Sequence, residues 1–392
     1  MTNYKYLIIG GGMTADAAVR GIREIDPQGS IGLVGSENDP PYDRPPLTKG
    51  LWKGKAFEKI WRHTETQQVS LHLGQKIVML DAQALRATDA QGNSYGAEKI
   101  LLATGGAPRS LPFGGEHIIY YRKLADYQRL HALVEQGKTD FAVIGGGFIG
   151  SEIAAALAMN GRKVKLLFPE DGICARLFPK DLSQHLNDYY RKKGVEVLPG
   201  EQITGLEPRK DRYILHTKGG RDLQVDAVVA GVGIQPNTEL AASVGLNIGS
   251  GILVDEYLLT SQPNIYAAGD VAEVFNPALE KSVRVEHEDN ANTMGKQVGR
   301  NMAGAQEPYR HLSYFYSDLF DLGYEAVGEL DSRLETYADW KEPFKEGVVY
   351  YLEKGRVRGV LLWNVWDTIP KARTLIAEPG PFKPADLKGR LP

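Results

Sequence analysis

Short apolar runs that lead into glycine turns, followed by small residues at helical spacing, recur along this chain. Two of these stretches are alike: residues 7–9 lead into glycines 10–12, and residues 142–144 lead into glycines 145–147. The helical pattern that follows continues to Arg23 in the first copy and to Met159 in the second. The pattern predicts strand, tight turn and helix twice, and therefore two similar α/β units.

Each turn matches the G-x-G-x-x-G/A fingerprint of dinucleotide-binding folds. In this motif the first glycine makes the turn, and the second lets the backbone approach a pyrophosphate. The third position, here Ala15 and Gly150, must be small so that helix and strand pack closely. The pyrophosphate then lies against the helix N-terminus, where unpaired N–H groups and the helix dipole favour an anion.

An acidic residue follows each copy about 20 residues further on, the spacing expected for a carboxylate that binds a ribose. Glu37 comes after the apolar run 30–34, and Glu170 comes after the run 163–168. The alternative is two unrelated glycine turns in an α/β fold, and two complete sets of strand, helix, second strand and acid argue against it. Two sites suggest two dinucleotides, and a flavin with a nicotinamide is the pairing that makes chemical sense.

The remaining runs predict nested domains. We expect a discontinuous FAD-binding domain over 1–113 and 234–308, which an NAD(H)-binding domain over 114–233 interrupts. A helix is predicted over roughly residues 288 to 302.

From about residue 309 the sequence pattern changes. Residues 347–352 and 357–363 predict two strands joined by a hairpin turn, and the tail after Pro379 is predicted as loop. We expect a small C-terminal dimerisation or interface domain over 309–392. The predicted fold class is α/β, with two nested Rossmann-type domains of the glutathione-reductase-like kind and an α+β C-terminal domain with an antiparallel sheet.

Chain length, glycine content and net charge limit the functions that this protein can have. The 392 residues are too many for one ordinary core, and the 44 glycines, about 11% of the chain against a usual ~7%, agree with phosphate-binding loops. A net charge of −3 provides no basic character for binding nucleic acid or an anionic membrane.

No run approaches the ~20 apolar residues of a membrane span, and no leader-like segment precedes the first strand, so we expect a cytoplasmic protein.

Cys174 is the only cysteine in the chain. An intramolecular disulfide, a dithiol redox centre and a cysteine-ligated iron–sulfur cluster are therefore excluded, and the eight histidines form no recognisable metal motif. We expect no metal site, and we expect Cys174 to be a surface or half-buried thiol. Electrons that reach a flavin here must leave for an outside acceptor, such as an iron–sulfur protein, a rubredoxin, a quinone or oxygen.

Three stretches carry a resemblance to a known family. They are P-Y-D-R-P-P-L-T-K at 41–49, G-G-G-F-I-G-S-E at 145–152, and A-G-D at 268–270 with V-E-H-E-D at 285–289. With these motifs the chain resembles the flavoprotein family of bacterial ferredoxin and rubredoxin reductases and apoptosis-inducing factor. Residues 323–328 and 362–364 look closest to apoptosis-inducing factor.

The resemblance implies FAD on the first glycine turn. The residues it points to for FAD are Gly10, Gly12, Met13, Thr14, Glu37, Arg44, Lys49, Val78, Arg122, Asp270, His287, Glu288 and Tyr316. Among them, His287 and Glu288 are expected near the flavin ring at a helix N-terminus, whose positive dipole end would steady a reduced flavin. Tyr316 stands where the family usually has tryptophan.

For NAD(H), the resemblance points to Gly147, Phe148, Ile149, Glu170, Gly233, Glu325 and Asn364. It implies catalytic roles for Lys49 and Glu152, as an ion pair beside the reactive nitrogen of the flavin, and for Phe148, as an aromatic gate over the flavin. NADH is favoured over NADPH because the Glu170 carboxylate would repel a 2′-phosphate, although Arg176 is near enough to meet one.

Two functions are compatible with these sequence features. The first is an NADH oxidoreductase that passes electrons through FAD to an external carrier, most simply a ferredoxin or rubredoxin, or to a small acceptor. The second is a flavoprotein like apoptosis-inducing factor, whose NADH-reduced charge-transfer state acts as a redox switch or binding module. A homodimer is compatible with both.

Overall fold

The computed structural model describes residues 2–392. Within that range the α-helices are α1 (Met13–Ile25), α2 (Leu124–Glu135), α3 (Phe148–Met159), α4 (Lys180–Lys192), α5 (Glu239–Ala242), α6 (Glu288–Met302), α7 (Ile369–Ala377) and α8 (Pro384–Leu387).

The strands, in the same range, are β1 (Thr2–Ile9), β2 (Ile31–Val34), β3 (Ser70–His72), β4 (Ile77–Asp81), β5 (Arg86–Asp89), β6 (Ser94–Leu102), β7 (Gly106–Pro108), β8 (Ile118–Tyr120), β9 (Asp140–Ile144), β10 (Lys163–Phe168), β11 (Val195–Pro199), β12 (Ile203–Arg209), β13 (Arg212–Thr217), β14 (Asp222–Val225), β15 (Ala227–Ala230), β16 (Ile234–Pro236), β17 (Ile252–Val254), β18 (Ile265–Ala267), β19 (Ala272–Asn276), β20 (Lys281–Val283), β21 (Tyr314–Leu319), β22 (Leu322–Gly328), β23 (Glu335–Glu342), β24 (Glu346–Glu353) and β25 (Arg356–Trp363).

The chain divides into two compact units. The first contains the chain up to Asp43 together with Glu58–Ala107 and Gln235–Tyr314, and the second contains Arg44–Phe57, Pro108–Ile234 and Phe315–Pro392. Residues 44–57 thus belong to the second unit, although the predicted limits assign them to the FAD-binding domain.

The first unit is built on a seven-stranded sheet in the order β3-β2-β1-β6-β5-β4, with β18 paired to β6. The pairs β1–β2, β1–β6, β2–β3 and β6–β18 are parallel, as expected when helices connect the strands. The apolar residues of β1, β2, β6 and β18 are buried and form its main core. The glycine turn at 10–12 therefore lies at the carboxyl end of a central buried strand.

Helices α1 and α6 of this unit pack with their backbones very close together. A Cβ atom at Gly299 would lie 2.1 Å from the carbonyl oxygen of Ala18, and a Cβ atom at Gly21 would lie 2.1 Å from that of Lys296. Only glycine is compatible with this separation, so the small residues of α1 and α6 set the helix crossing. The observed α6 agrees with the helix predicted over 288–302.

The second unit contains a five-stranded parallel sheet in the order β11-β10-β9-β15-β8. Helix α3 follows β9 and contains a continuous buried run from Gly150 to Leu157. A three-stranded antiparallel sheet, β12-β13-β14, packs its apolar residues into the same core as β15. The second glycine turn, at 145–147, again follows a central parallel strand.

A five-stranded antiparallel sheet, β21-β22-β25-β24-β23, completes the second unit. The predicted hairpin is confirmed: β24 and β25 pair through a turn in which Lys354 and Gly355 both have positive φ, at 52° and 77°. The prediction of a loop after Pro379 is wrong in part, because Pro384–Leu387 form a helical turn with proline at its start. The fold class is that predicted, α/β with a C-terminal antiparallel sheet.

In the part of the chain that the structure describes, no helix is long and apolar enough to cross a membrane.

Candidate functional site

The first glycine turn joins β1 to α1 in the first unit. Gly10 has φ +136°, and a Cβ atom there would lie 2.1 Å from the carbonyl oxygen of Ala103, so both its conformation and the space around it require glycine. Gly12 precedes α1, and among the described residues no side chain caps the helix. Met13 and Thr14 form the first turn and are buried. The turn leaves a helix N-terminus available for an anion.

Two further predicted residues of this unit lie beside that turn. A Cβ atom at Gly269 would lie 2.3 Å from the hydroxyl of Thr14, which brings the 268–270 motif directly against the start of α1. Asp270 follows, and its carbonyl oxygen accepts a hydrogen bond from Arg284. The structure therefore brings together two sequence motifs that are more than 250 residues apart in the chain.

Glu37 lies beyond β2, as predicted. Its carboxylate accepts a hydrogen bond of 2.7 Å from the Tyr42 hydroxyl, and it also raises the pKa of Asp39, for which burial is the main cause. Val78, predicted at the adenine, is 49% exposed on β4, which leaves its apolar side chain available for a ligand. The tyrosine hydroxyl orients the Glu37 carboxylate without neutralising its charge.

His287 and Glu288 lie at a helix N-terminus as predicted, with His287 immediately before α6 and Glu288 as its first residue. The pKa of the half-buried His287 is lowered to about 4 because burial disfavours the charged imidazolium, and Asp270 and Asp289 offset this only in part. The imidazole is therefore neutral at pH 7.

The second glycine turn repeats the geometry of the first. Gly145 has φ +113°, and a Cβ atom at Gly150 would lie 1.8 Å from its carbonyl oxygen, so both positions require glycine. A Cβ atom at Gly147 would meet nothing within 4 Å, which means that the turn opens into space at this point. Phe148 and the partly exposed Ile149 begin α3 beside that opening.

Glu170 lies just past β10 and forms an ion pair of 2.7 Å with Arg176, whose side chain is 84% exposed. The loop between them is anchored to the glycine turn, because the Cys174 amide donates to the carbonyl oxygen of Gly146. Asn187 of α4 holds the loop from the other side through Asp171 and Ile173. The predicted ribose acid is therefore held near the second turn, with a cation attached.

The remaining residues predicted for NAD(H) are distributed over the second unit. Gly233 has φ +89°. Glu325 on β22 has a raised pKa, chiefly because of burial and secondarily because of Asp367, and its Oε2 has no hydrogen-bond partner in the described chain. Asn364, with φ +50°, accepts a hydrogen bond from the Gly323 amide and donates to the carbonyl oxygen of Lys345.

The ion pair between Lys49 and Glu152 is present in the second unit. Lys49 Nζ lies 2.7 Å from Glu152 Oε1, and the glutamate side chain is 4% exposed. The ammonium group also lies 5.2 Å from the ring centre of Tyr316, over its face. Three of the residues predicted from the sequence thus form one cluster.

Lys49 is positioned by the packing of residues 44–57 against the rest of this unit. The indole N–H of Trp52 and the hydroxyl of Tyr121 both donate to the carbonyl oxygen of Leu47, two residues before Lys49. Arg44 donates to the carbonyl oxygen of Arg122, which brings two predicted FAD residues together. The chain just before the lysine is therefore anchored at Arg44 and at Leu47.

Phe148 makes an edge-to-face contact with Phe315, with ring centres 5.1 Å apart. Phe315 precedes Tyr316 on β21, so the strand that carries the ring beside Lys49 also contacts the predicted gate. No group of three or more histidine, cysteine, aspartate or glutamate side chains suitable for a metal ion occurs among residues 2–392.

Comparison with known proteins identifies the family. The family model for pyridine nucleotide-disulphide oxidoreductases matches residues 4–295, which is most of the chain. The chain belongs to the pyridine nucleotide-disulphide oxidoreductase family. A second model, for the mitochondrion-associated C-terminal region of apoptosis-inducing factor, matches residues 298–343 and 338–378.

Individual members of the family resemble the whole chain. Mitochondrial apoptosis-inducing factor 1 of Dictyostelium discoideum is 33% identical, over 95% of this chain and 78% of that protein. The ferredoxin reductase subunit of the 5,5′-dehydrodivanillate O-demethylase of Sphingobium sp. is 31% identical, over 96% of this chain and 94% of that protein. A chain of the covalent putidaredoxin reductase–putidaredoxin complex superposes with a TM-score of 0.90 at 28% identity, over 98% of this chain and 95% of that one.

This oxidoreductase is therefore an NAD(P)H-dependent flavoprotein that binds FAD and NAD(H). Its residues are suited to both groups: each glycine turn offers a helix N-terminus to a pyrophosphate, and each turn is followed by an acid at the spacing of a ribose-binding carboxylate. The space beyond Gly147, where a Cβ atom would meet no neighbour, is the part of the second turn that a phosphate can occupy.

The prediction that Cys174 is a surface or half-buried thiol is wrong. The thiol is 5% exposed instead of lying on the surface or half-buried, and burial raises its pKa to about 12. Its backbone has φ +54°, because the loop turns sharply where its amide bonds to Gly146. A buried, protonated thiol is a poor nucleophile, so the disulfide chemistry after which the family is named has no counterpart in this chain.

Sequence reasoning missed two residues of the Lys49 cluster. The hydroxyl of Thr48 donates to Glu152 Oε2 at 2.5 Å, and the hydroxyl of Ser317 donates to Oε1 at 2.6 Å. Thr48 lies inside the 41–49 motif and Ser317 directly follows Tyr316, but nothing in their own sequence context indicates a buried carboxylate partner.

Proposed function

We propose that this chain oxidises NADH and delivers the electrons to an external one-electron carrier protein of the ferredoxin or rubredoxin type. The observation that carries the proposal is the state of the single cysteine: Cys174 is buried and protonated, so the chain has no thiol that could receive the electrons. The ferredoxin reductase subunit among its relatives and the similarity to the putidaredoxin reductase–putidaredoxin complex support a small iron–sulfur partner.

When bound, FAD supplies the chemistry that accepts a hydride from NADH and releases electrons singly. In this proposal the residues that hold FAD are Gly10, Gly12, Met13, Thr14, Glu37, Arg44, Lys49, Val78, Arg122, Asp270, His287, Glu288 and Tyr316. The residues proposed to hold NADH are Gly147, Phe148, Ile149, Glu170, Gly233, Glu325 and Asn364.

The catalytic residues in this proposal are Lys49, Glu152 and Phe148. Lys49 holds a positive charge at Nζ, and Glu152 fixes the position of that charge through the 2.7 Å contact. Phe148 stands at the first position of α3, where it can cover or uncover the coenzyme position by rotating its side chain. The neutral imidazole of His287 lies next to the N-terminus of α6, which is the positive end of the helix dipole.

The preference for NADH is part of the proposal. A 2′-phosphate would meet the carboxylate of Glu170, and the guanidinium of Arg176 that could bind it is already engaged by that carboxylate at 2.7 Å. The ribose hydroxyls of NADH, in contrast, are uncharged and can donate hydrogen bonds to Glu170 without bringing a second negative charge to it.

The match of residues 298–378 to the C-terminal region of apoptosis-inducing factor favours a second candidate. In this second candidate, reduction by NADH gives a long-lived reduced protein, and its altered shape or dimerisation is the signal. Delivery of electrons to an acceptor is then not its function. The 33% identity with the Dictyostelium protein over nearly the whole chain supports the same candidate.

Anaerobic mixing with excess NADH separates the two. The absorbance spectrum is followed first alone and then after addition of a ferredoxin, a rubredoxin or ferricyanide. Rapid turnover with a carrier protein supports the reductase, whereas a persistent long-wavelength band and slow reoxidation by every acceptor support the switch. Sedimentation with and without NADH tests the dimer. A chain that neither retains flavin nor oxidises NADH would contradict both.

A further inference from the structure

The carboxylate of Glu152 is held by three donors from two other chain segments. Lys49 Nζ and Ser317 Oγ both contact Oε1, at 2.7 and 2.6 Å, and Thr48 Oγ1 contacts Oε2 at 2.5 Å. Thr48 and Lys49 are neighbours in residues 44–57, Ser317 lies on β21, and Glu152 lies in the second turn of α3. Both oxygens of the carboxylate therefore have a donor.

The carboxylate of this cluster and the two hydroxyls that bind it are withdrawn from water. Ser317 is 1% exposed and Thr48 is 6% exposed, so neither hydroxyl has a solvent molecule as a ready substitute for the carboxylate. A buried carboxylate is costly unless its charge is balanced and its lone pairs are used. The ammonium group balances the charge, and the two hydroxyls supply the additional hydrogen bonds.

The other titratable groups around Glu152 stay neutral near pH 7. Burial raises the pKa of Cys174 to about 12, and it raises the pKa values of Tyr190 on α4 and Tyr324 on β22 well above the usual range. On β21 the next residue, Asp318, is exposed and pairs with Lys53. The charges inside the cluster are therefore those of Lys49 and Glu152.

We propose that Ser317, acting together with Thr48, is a positioning residue that keeps the Glu152 carboxylate ionised and facing Lys49. This inference rests on the proposed function, in which Lys49 must hold its charge at a fixed point. The hydroxyls act through Glu152 and touch neither coenzyme in the proposal.

The inference predicts a specific consequence of removing either hydroxyl. Hydrogen bonds to a carboxylate stabilise its charged form, so the loss of one donor makes the buried group easier to protonate. Protonated Glu152 no longer balances Lys49, and the ammonium group is then free to move from its position over Tyr316. The effect should grow as the pH falls.

Two pairs of variants test this on the full-length holoprotein. Ser317→Ala and Thr48→Val remove a hydroxyl at nearly constant volume, whereas Ser317→Thr and Thr48→Ser keep one. The rate of NADH-driven flavin reduction is measured in a stopped-flow instrument from pH 5 to 8, at saturating flavin. In the hydroxyl-free variants we expect the acidic limb of the rate profile to move to higher pH by about one unit. In the hydroxyl-retaining variants we expect it to stay in place.

A second readout does not depend on turnover. The infrared C=O stretch of a protonated carboxylic acid is recorded against pH for the full chain as purified, and the band lost in Glu152→Gln is assigned to Glu152. In Ser317→Ala this band should appear about one pH unit higher than in the natural chain. A simple packing role for Ser317 would leave the band unmoved.

Unchanged rate profiles and an unchanged carboxylic band in both hydroxyl-free variants would overturn the inference. If Ser317→Ala does not fold, the comparison of Thr48→Val with Thr48→Ser decides alone, because it tests the other oxygen of the same carboxylate. If the natural chain shows no NADH-driven flavin reduction, the proposed function fails, and the infrared series still decides whether the hydroxyls control Glu152.

Discussion

The two dinucleotide-type helices, α1 and α3, each bury one acid near their N-terminus, and the two acids are neutralised differently. Asp16 in α1 is 2% exposed and Glu152 in α3 is 4% exposed. Asp16 receives two guanidinium groups and a hydroxyl, from Arg20, Arg62 and Thr64. Glu152 receives one ammonium group and two hydroxyls.

The partners of Asp16 connect distant parts of the first unit. Arg62 contacts not only Asp16 but also Asp43, Asn292 of α6 and the carbonyl oxygen of Met13 at the start of α1. Because a guanidinium is charged at every relevant pH and binds in a planar fork, this network is suited to fixing the helix in place. We interpret Asp16 as a structural anchor beneath the first glycine turn.

The cluster around Glu152 differs because a single lysine supplies its positive charge and hydroxyls supply the rest. An ammonium group on a flexible stem and rotatable hydroxyls respond to a change of charge nearby more readily than guanidinium groups do. Under the proposed function, one buried acid, Asp16, serves structure and the other, Glu152, serves chemistry.

The largest effect is expected for Lys49→Met. It leaves Glu152 buried without its countercharge, which should lower the free energy of unfolding by about 3–5 kcal/mol. Urea unfolding at saturating FAD measures it. Lys53→Met is the matched control in the same segment, because its pair with Asp318 is exposed and should contribute about 0–1 kcal/mol. Equal losses of unfolding free energy in Lys49→Met and Lys53→Met would show that removing Lys49 does not leave an unbalanced charge on Glu152.

The next largest effect is a loss of stability at acidic pH, and it is confined to the first unit, which contains His287. The pKa of His287 is lowered to about 4, so below the unfolded value of about 6.5 the unfolded chain binds more protons than the folded one. Stability that is complete above about pH 6.5 should fall toward pH 4, by up to about 3 kcal/mol. Hydrogen exchange of α6 peptides at pH 7 and 5 measures it, with strands β9 and β10 as the internal reference.

His287→Gln removes the titrating group and should flatten this pH dependence. His131→Gln, at a half-exposed position on α2, is the control and should leave it unchanged. Acid-dependent loosening that persists in His287→Gln would assign the effect to other groups.

A smaller loss is expected for Arg62→Met, because Asp16 retains Arg20 and Thr64. Removal of charged hydrogen bonds should cost about 1.5–3 kcal/mol, less than Lys49→Met. Arg20→Met, at a more exposed side chain, should cost less again. Urea unfolding of the three variants under identical conditions gives the order, and a larger loss for Arg62→Met than for Lys49→Met would reverse our interpretation of the two acids.

The smallest effect is expected at Glu170, which is proposed to bind the NADH ribose and is paired with Arg176. Glu170→Gln releases Arg176 and removes the repulsion, so the ratio of kcat/KM for NADPH to that for NADH should rise about threefold to tenfold. Glu196→Gln, which breaks an exposed pair with Lys165, is the control. An unchanged ratio in Glu170→Gln would place the discrimination elsewhere.

Much of the local structure could be predicted from the sequence because it depends on short-range chemistry. The glycine turns, the helices after them and the start of α6 at Glu288 follow from spacing and from residues that fit only one backbone conformation. The helical turn at the C-terminus was missed because four residues after a proline carry no periodic signal. Burial of Cys174 was missed because one apolar side chain in a loop does not reveal what packs over it.

The sequence by itself determined two glycine turns on parallel strands, an acid after each, and a chain with no second thiol. These are properties of neighbouring residues and of composition, so they need no knowledge of the folded chain. Only the tertiary structure decided that Thr48, Lys49 and Ser317 converge on Glu152, and that Arg62 and Thr64 converge on Asp16. Partners so far apart in the chain meet only through packing, which no local pattern records.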